Sequence, residues 1–174
     1  DLISLAMRKN PGEAICITRD KDLRQIPGWH YGWENHNQPE FGPKFIDEMG
    51  YLERKGKKVE GGGLKFFFFQ CLTGDRVDSI PGIPGYGPIT ALQTLEGLDT
   101  EQELKEAVQK AYCEGFQDIL LPYGLGPRDR LFETANLVRM VAEMDDQFIH
   151  LYDPWEEFTF KYDFHKRVVT REEF

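Results

Sequence analysis

Apolar and polar positions along the chain fall into two regimes that change near residue 64. Leu2, Ile3, Leu5, Ala6 and Met7 mark one face of a helix that stops at the turn formed by Asn10, Pro11 and Gly12. Ala14, Ile15, Cys16 and Ile17 then form a short unbroken apolar run with β-branched content, which predicts a buried parallel strand. A helix feeding such a strand predicts an α/β sheet, with "HYGWEN" at 30–35 as a second strand. "GYLERKGKKVEGGG" at 50–63 reads as a β-hairpin with "KGKK" at its tip.

From Leu64 onward the period is helical. "LKFFFFQCL" is apolar nearly all round, so it predicts a buried helix. "PITALQTLE" at 88–96 follows, with Pro88 suited to a first helical turn. Thr100 and Glu103 make a capping box for a helix over 100–116, and Leu104, Ala107, Val108, Ala111 and Tyr112 share one face. A further helix is expected over 128–144, through Leu131, Ala135, Val138 and Ala142. The tail from residue 148 alternates aromatic and charged residues and predicts strand character over 158–162.

The 174 residues, 40% of them apolar, suffice for one domain with a core. No apolar run is longer than the four residues of Phe66 to Phe69, far short of the ~20 that a membrane span needs. Cys16, Cys71 and Cys113 are odd in number and carry no CxxC spacing, which argues against a disulfide framework or thiolate metal site and fits a reducing cytoplasm. The first residue is not methionine, and "DLISLAM" already reads as mid-helix, so a preceding segment is expected. The formal charge of −9 runs against nucleic-acid binding. Metal-chelating carboxylates, however, inflate such a sum without repelling a phosphate once cations are bound.

Two acid pairs carry candidate chemistry. Asp20 and Asp22 follow the first strand, where sites form in open α/β sheets, and in extended chain both would project to one side. Asp75 and Asp78 stand three apart in "GDRVDS", which on a helical turn places both on one face. Hard divalent cations such as Mg²⁺ or Mn²⁺ take such oxygens, one or two carboxylates per ion. The plainer alternatives are a solvated acidic turn for the first pair and an N-cap beside an exposed aspartate for the second. The glycines that follow shift the balance: in "GIPGYGP", Gly82, Gly85 and Gly87 lead into Pro88 at a helix start. Such a turn lets a phosphate backbone come close and presents amides to it. The spacing GxxGxG is neither a Rossmann fingerprint nor a P-loop; two helices around a glycine hairpin grip a nucleic-acid backbone without reading bases.

"ITRDKDLRQIPG" followed by "LTGDRVDSIPGIPGYGPITAL" resembles the 5′-to-3′ exonuclease and flap endonuclease family, of the bacteriophage type and of the domain attached to bacterial DNA polymerase I. The resemblance runs from Asp1 to about Leu98. It implies a fold of α/β class: the remnant of a parallel sheet with flanking helices, plus a mostly helical half containing a helix-three-turn-helix motif. Residues 1–63 would be the C-terminal part of a PIN-like catalytic core, with 64–174 packed on it as one body.

The resemblance also implies roles. Asp20, Asp22, Asp75 and Asp78 would be catalytic, the first two holding one of two ions and the last two the other, with Asp1 the last acid of a further cluster. Gly82, Ile83, Gly85, Tyr86 and Gly87 would contact duplex phosphates, with K⁺ at the glycine loop, and Lys57 and Lys58 give the best basic patch for DNA. The partner expected is DNA with a 5′ end, flap or single-stranded branch. The family's N-terminal strand acids, helical arch and phosphate-reaching basic residue have no counterpart here, so the chain is expected to need an N-terminal segment or a separate chain. Two other classes compete: a non-catalytic structure-selective DNA-binding module, and an unrelated α/β phosphohydrolase whose "DKD" binds Mg²⁺. Both acid pairs favour the nuclease over the first, and the glycine hairpin disfavours the second.

Overall fold

The computed structural model describes residues 2–36, 38–117, 125–144, 148–156, 159–163 and 165–172. Helix α1 (Leu2–Lys9) ends where the Asn10 amide donates to the Met7 carbonyl at 3.1 Å and its side chain to Ala6 at 2.8 Å. Strand β1 (Ile15–Ile17) runs parallel to β2 (Gly28–Gly32), and β3 (Phe41–Ile46) joins β2 antiparallel, giving a mixed sheet in the order β1-β2-β3. The parallel β1–β2 pair agrees with the expected α/β class. Strand β3 carries Pro43, and it lies at the sheet edge, where proline is tolerated.

One expectation for this sheet is overturned. Cys16 packs inward with Met7, Leu23 and Ile26, and His30 and Ile46 are also buried. Ile15 and Ile17, however, are 47% and 61% exposed, so β1 is buried on one face only. Their sheet neighbours Trp29 and Phe45, which meet edge-on with centroids 5.5 Å apart, are exposed too. Successive side chains alternate between faces, and among the described residues nothing covers the second one.

The hairpin forms as expected, β4 (Tyr51–Lys55) against β5 (Lys58–Gly62), with Gly56 at φ 65° in its tip. Helix α2 (Gly63–Thr73) is the centre of the main core: Phe66 to Phe69, Cys71 and Leu72 are all buried. A two-residue ladder, β6 (Gly74–Asp75) with β7 (Ile80–Pro81), follows it directly. Helices α3 (Pro88–Leu95), α4 (Glu101–Gly115) and α5 (Pro127–Val138) pack around α2, burying Leu95, Leu104, Val108, Leu131 and Ala135 in one cluster. The capping box of α4 is present: Glu103 N–H donates to Thr100 Oγ1 at 3.2 Å and Thr100 N–H to Glu103 Oε2 at 3.0 Å.

Helix α5 stops six residues before the periodicity does. Arg139 turns extended, with φ −75° and ψ 132°, and its guanidinium lies 4.7 Å from the Tyr152 ring centre. Met140 N–H donates to Gln25 Oε1 at 3.2 Å, and Val141 accepts from Ser4 Oγ at 2.6 Å. Tertiary partners thus replace the next helical turn. The C-terminal part is also less helical than expected, because the alternating tail forms an antiparallel sheet of β8 (Phe148–Leu151), β9 (Thr159–Asp163) and β10 (Val168–Glu172), with β9 central. The expected strand over 158–162 is β9, apart from Phe158, which lies outside the described residues. Among the described residues no helix is long and apolar enough to cross a membrane.

Candidate metal centre

The end of α2 builds the site. Gly74, at φ 66°, closes the helix by donating its N–H to Gln70 O. A Cβ at this position would stand 2.2 Å from Ile80 O, so the turn requires glycine. Asp75 comes next, buried at 6% exposure. The expectation that Asp75 and Asp78 share a helix face is corrected here: α2 has ended at Thr73, Asp75 lies in β6 and Asp78 in the turn that leads to β7. What orients Asp75 is the Val77 N–H, which donates to Oδ1 at 2.8 Å.

A similar correction applies to the first pair. The chain at Lys21 is helical, with φ −67° and ψ −26°, and Asp22 opens a 3₁₀ turn through Gln25, so Asp20 and Asp22 do not project together from extended chain. Asp20 is exposed and its Oδ1 accepts the Asp22 N–H at 2.9 Å. Asp22 instead faces the second pair: one oxygen each of Asp22, Asp75 and Asp78 lies within 4.8 Å of the others. Asp20 is not one of this group, and Asp1 lies outside the described residues.

Three side chains without a sequence-assigned role hold this cluster. Lys21 Nζ donates to Asp22 Oδ1 at 2.8 Å and also to Asp75 Oδ2. Gln70 Nε2 donates to Asp22 Oδ1 at 2.6 Å, while Gln70 Oε1 accepts from Gln25 Nε2. Gln25 Nε2 also donates to Val138 O at 2.8 Å, which ties the carboxylates to the end of α5. Gln70 had a visible signal, since it interrupts the apolar run from Phe66 to Leu72. A buried amide in such a run needs a polar partner.

Burial alone would raise the Asp75 pKa, but the bonds from Lys21 and from the Val77 and Asp78 amides outweigh it, and the carboxyl is held below its usual value. Burial likewise works to lower the Lys21 pKa, yet its bonds to Asp22 and Asp75 leave it raised. Both groups are therefore charged at neutral pH. An all-oxygen donor set on two chain segments, one member buried and oriented, fits a hard divalent cation.

The glycine turn beside these acids divides in two. A Cβ on Gly82 would stand 2.3 Å from the Thr73 carbonyl carbon and 2.4 Å from Leu72 O, so this glycine lets the turn lie against the end of α2. Ile83 is buried and its N–H donates to Leu72 O at 3.0 Å, while the N–H of half-buried Tyr86 donates to Ile83 O at 3.0 Å. Those two amides serve the fold. Gly85, at φ 80°, and Gly87 have open space where a side chain would be. Lys57 and Lys58 are exposed on the β4–β5 tip, on a different element from the carboxylates. A groove of about 540 Å³ lined by Arg128, Phe132, Trp155 and Phe160, among others, contains none of these residues.

No family model and no solved structure matches the chain. Among curated proteins it is 36% identical over 91 residues to DNA polymerase I of Rhizobium leguminosarum, covering 51% of this chain and 8% of that one. It is 33% identical over 102 residues to flap endonuclease Xni of Shewanella halifaxensis, covering 57% and 36%, and 31% identical over 99 residues to that of Shewanella frigidimarina, covering 56% and 35%. The matches thus span about a third of those flap endonucleases and under a tenth of the polymerase. These relatives support the resemblance to the 5′-nuclease family.

Proposed function

With 5′-nuclease relatives as the premise, we propose that this chain carries part of the active site and the DNA-gripping turn of a metal-dependent 5′-to-3′ exonuclease or flap endonuclease. The observation that carries this reading is the meeting of Asp22, Asp75 and Asp78 within 4.8 Å, directly before an open glycine turn. Asp22, Asp75 and Asp78 would share one Mg²⁺ or Mn²⁺, and Asp20, outside that group, would help hold a second with ligands from another segment; when bound, such ions would supply a water acidic enough to attack phosphorus and neutralise the charge that develops. The protein's own part is positional. The Val77 amide and the Gln70–Gln25 relay fix the carboxylates before any cation arrives, which lowers the cost of assembling the centre.

The α2–turn–α3 unit would act as the helix-three-turn-helix. Gly85 and Gly87 would let a duplex backbone approach, Gly82, Ile83 and Tyr86 would shape the turn, and carbonyls of this turn would suit a K⁺ shared with a phosphate. Lys57 and Lys58 would add phosphate contacts on a duplex.

The exposed Ile15, Ile17, Trp29 and Phe45 face supports the further reading that another layer of polypeptide, preceding this one or on a separate chain, completes the sheet and the acid cluster. A soluble, cytoplasmic setting suits DNA as substrate. A purely DNA-binding module would leave the convergence of three carboxylates without a role.

The test is cleavage of 5′-flap and 5′-recessed duplex DNA with Mg²⁺ or Mn²⁺, by this chain alone and joined to its upstream coding segment. Asp75→Asn is the control. The expected result is strong metal-dependent cleavage by the joined form, little by the chain alone, and a drop of at least ~100-fold with Asp75→Asn. Equal cleavage by the variant removes Asp75 from the metal site, and DNA binding without any cleavage favours the binding module.

A further inference from the structure

We infer that Lys21 is a tethered cation that competes with the divalent metal for the carboxylate cluster, so that metal binding is an exchange in which the ammonium is expelled. The inference rests on the metal-binding reading above.

The ammonium is bonded to oxygens of both Asp22 and Asp75. These two residues lie 53 positions apart in the chain, and they are two of the three whose oxygens converge. A divalent ion bound to those oxygens needs the same lone pairs at short range. An ammonium and a divalent cation so close would also repel each other, so both cannot hold the position. The Lys21 side chain is 46% exposed, whereas Asp75 is 6% exposed. The base is therefore fixed and the lysine free to swing outward on its four-carbon stem. The sequence order matters here: Lys21 sits between Asp20 and Asp22, so the displaced ammonium stays beside the cluster instead of leaving it.

An exchange of this kind has two consequences. Without divalent ions, the ammonium keeps two converging carboxylates from repelling each other, and the turn holds its shape. With them, the site gives up this internal pair, which weakens the observed affinity for the metal.

Two measurements on the folded chain test this. The first is Mn²⁺ binding followed by electron paramagnetic resonance, on the natural chain and on Lys21→Met and Lys21→Arg, each checked for folding by circular dichroism. Lys21→Met, which keeps the stem without the charge, is expected to bind Mn²⁺ at least about fivefold more tightly, and Lys21→Arg to remain as weak as the natural chain. The second is amine acetylation of the natural chain, read by peptide mass spectrometry with and without Mg²⁺. Lys21 is expected to react several-fold faster with Mg²⁺, and this gain to vanish in Asp75→Asn. If the natural chain binds Mn²⁺ but Lys21→Met binds it no more tightly, or Mg²⁺ leaves Lys21 reactivity unchanged or lowered, the exchange is overturned while the metal site stands. If neither this chain nor its form joined to the upstream segment binds Mn²⁺, both fall.

Discussion

Gln70 Nε2 donates to Asp22 Oδ1 at 2.6 Å, from a helix otherwise packed with phenylalanine, so a buried amide sets the direction of a surface-facing carboxylate. It lies 3.5 Å from Asp75 Oδ2 as well, so one side chain bridges the two halves of the acid cluster.

Gln70→Leu keeps most of the volume and removes both polar ends. It is expected to weaken Mn²⁺ binding by about 10-fold or more, because an unsupported ligand must be ordered when the ion binds. Stability should fall by about 1–3 kcal/mol, since Gln25 loses a buried partner. Titration with Mn²⁺ and urea denaturation check the two effects. A stability loss with unchanged affinity would reduce Gln70 to a packing role.

The glycines of the turn should separate by readout. Gly82→Ala sets a methyl against the α2 backbone and is expected to destabilise by about 2 kcal/mol or more, seen as a lower melting temperature. Gly87→Ala meets open space in ordinary extended backbone and should leave stability within about 1 kcal/mol, while weakening binding to duplex DNA in a fluorescence-anisotropy titration.

Stability should depend on pH in two separate windows. His30 is buried, with Nε2 donating to Ile26 O at 2.7 Å, and burial lowers its pKa. The unfolded chain therefore takes up a proton below about pH 6.5 that the folded chain refuses, and stability is lost as pH falls from there toward the folded pKa. Asp75 is depressed, so its contribution is full above its unfolded pKa of about 4 and is lost only as pH falls through the lower folded value. Urea denaturation from pH 8 to 5 should show the first loss, and His30→Gln should flatten it while leaving the acid limb in place.

Substitutions on the open sheet face should differ from those in the core. Ile17→Ser removes a 61%-exposed side chain and is expected to shift unfolding by no more than about 0.5–1 kcal/mol, whereas Phe68→Ala should cost about 3–5 kcal/mol. Binding of a hydrophobic dye to the native chain should fall in an Ile17→Ser, Trp29→Ser double variant. Unfolding of that variant at low denaturant would mean that the face is packed in solution.

Elements governed by neighbours in sequence were legible in the chain. The Thr100–Glu103 box sets the start of α4, the Gly56 turn with its flanking lysines sets the hairpin, and four consecutive phenylalanines leave α2 no face for water. The family motifs likewise marked both acid pairs, because those residues are close along the chain. How they are arranged was decided in three dimensions. Asp22 meets Asp75 across 53 residues, and Gln25 reaches Val138 across 113. Helix α5 ends where Gln25 and Ser4 offer its backbone better partners than the next turn would. The exposure of Ile15 and Ile17 depends on what lies above a sheet, which no local period encodes. Residue pattern determines what a segment can form; which carboxylates meet and which glycines stand open follow from how the segments pack.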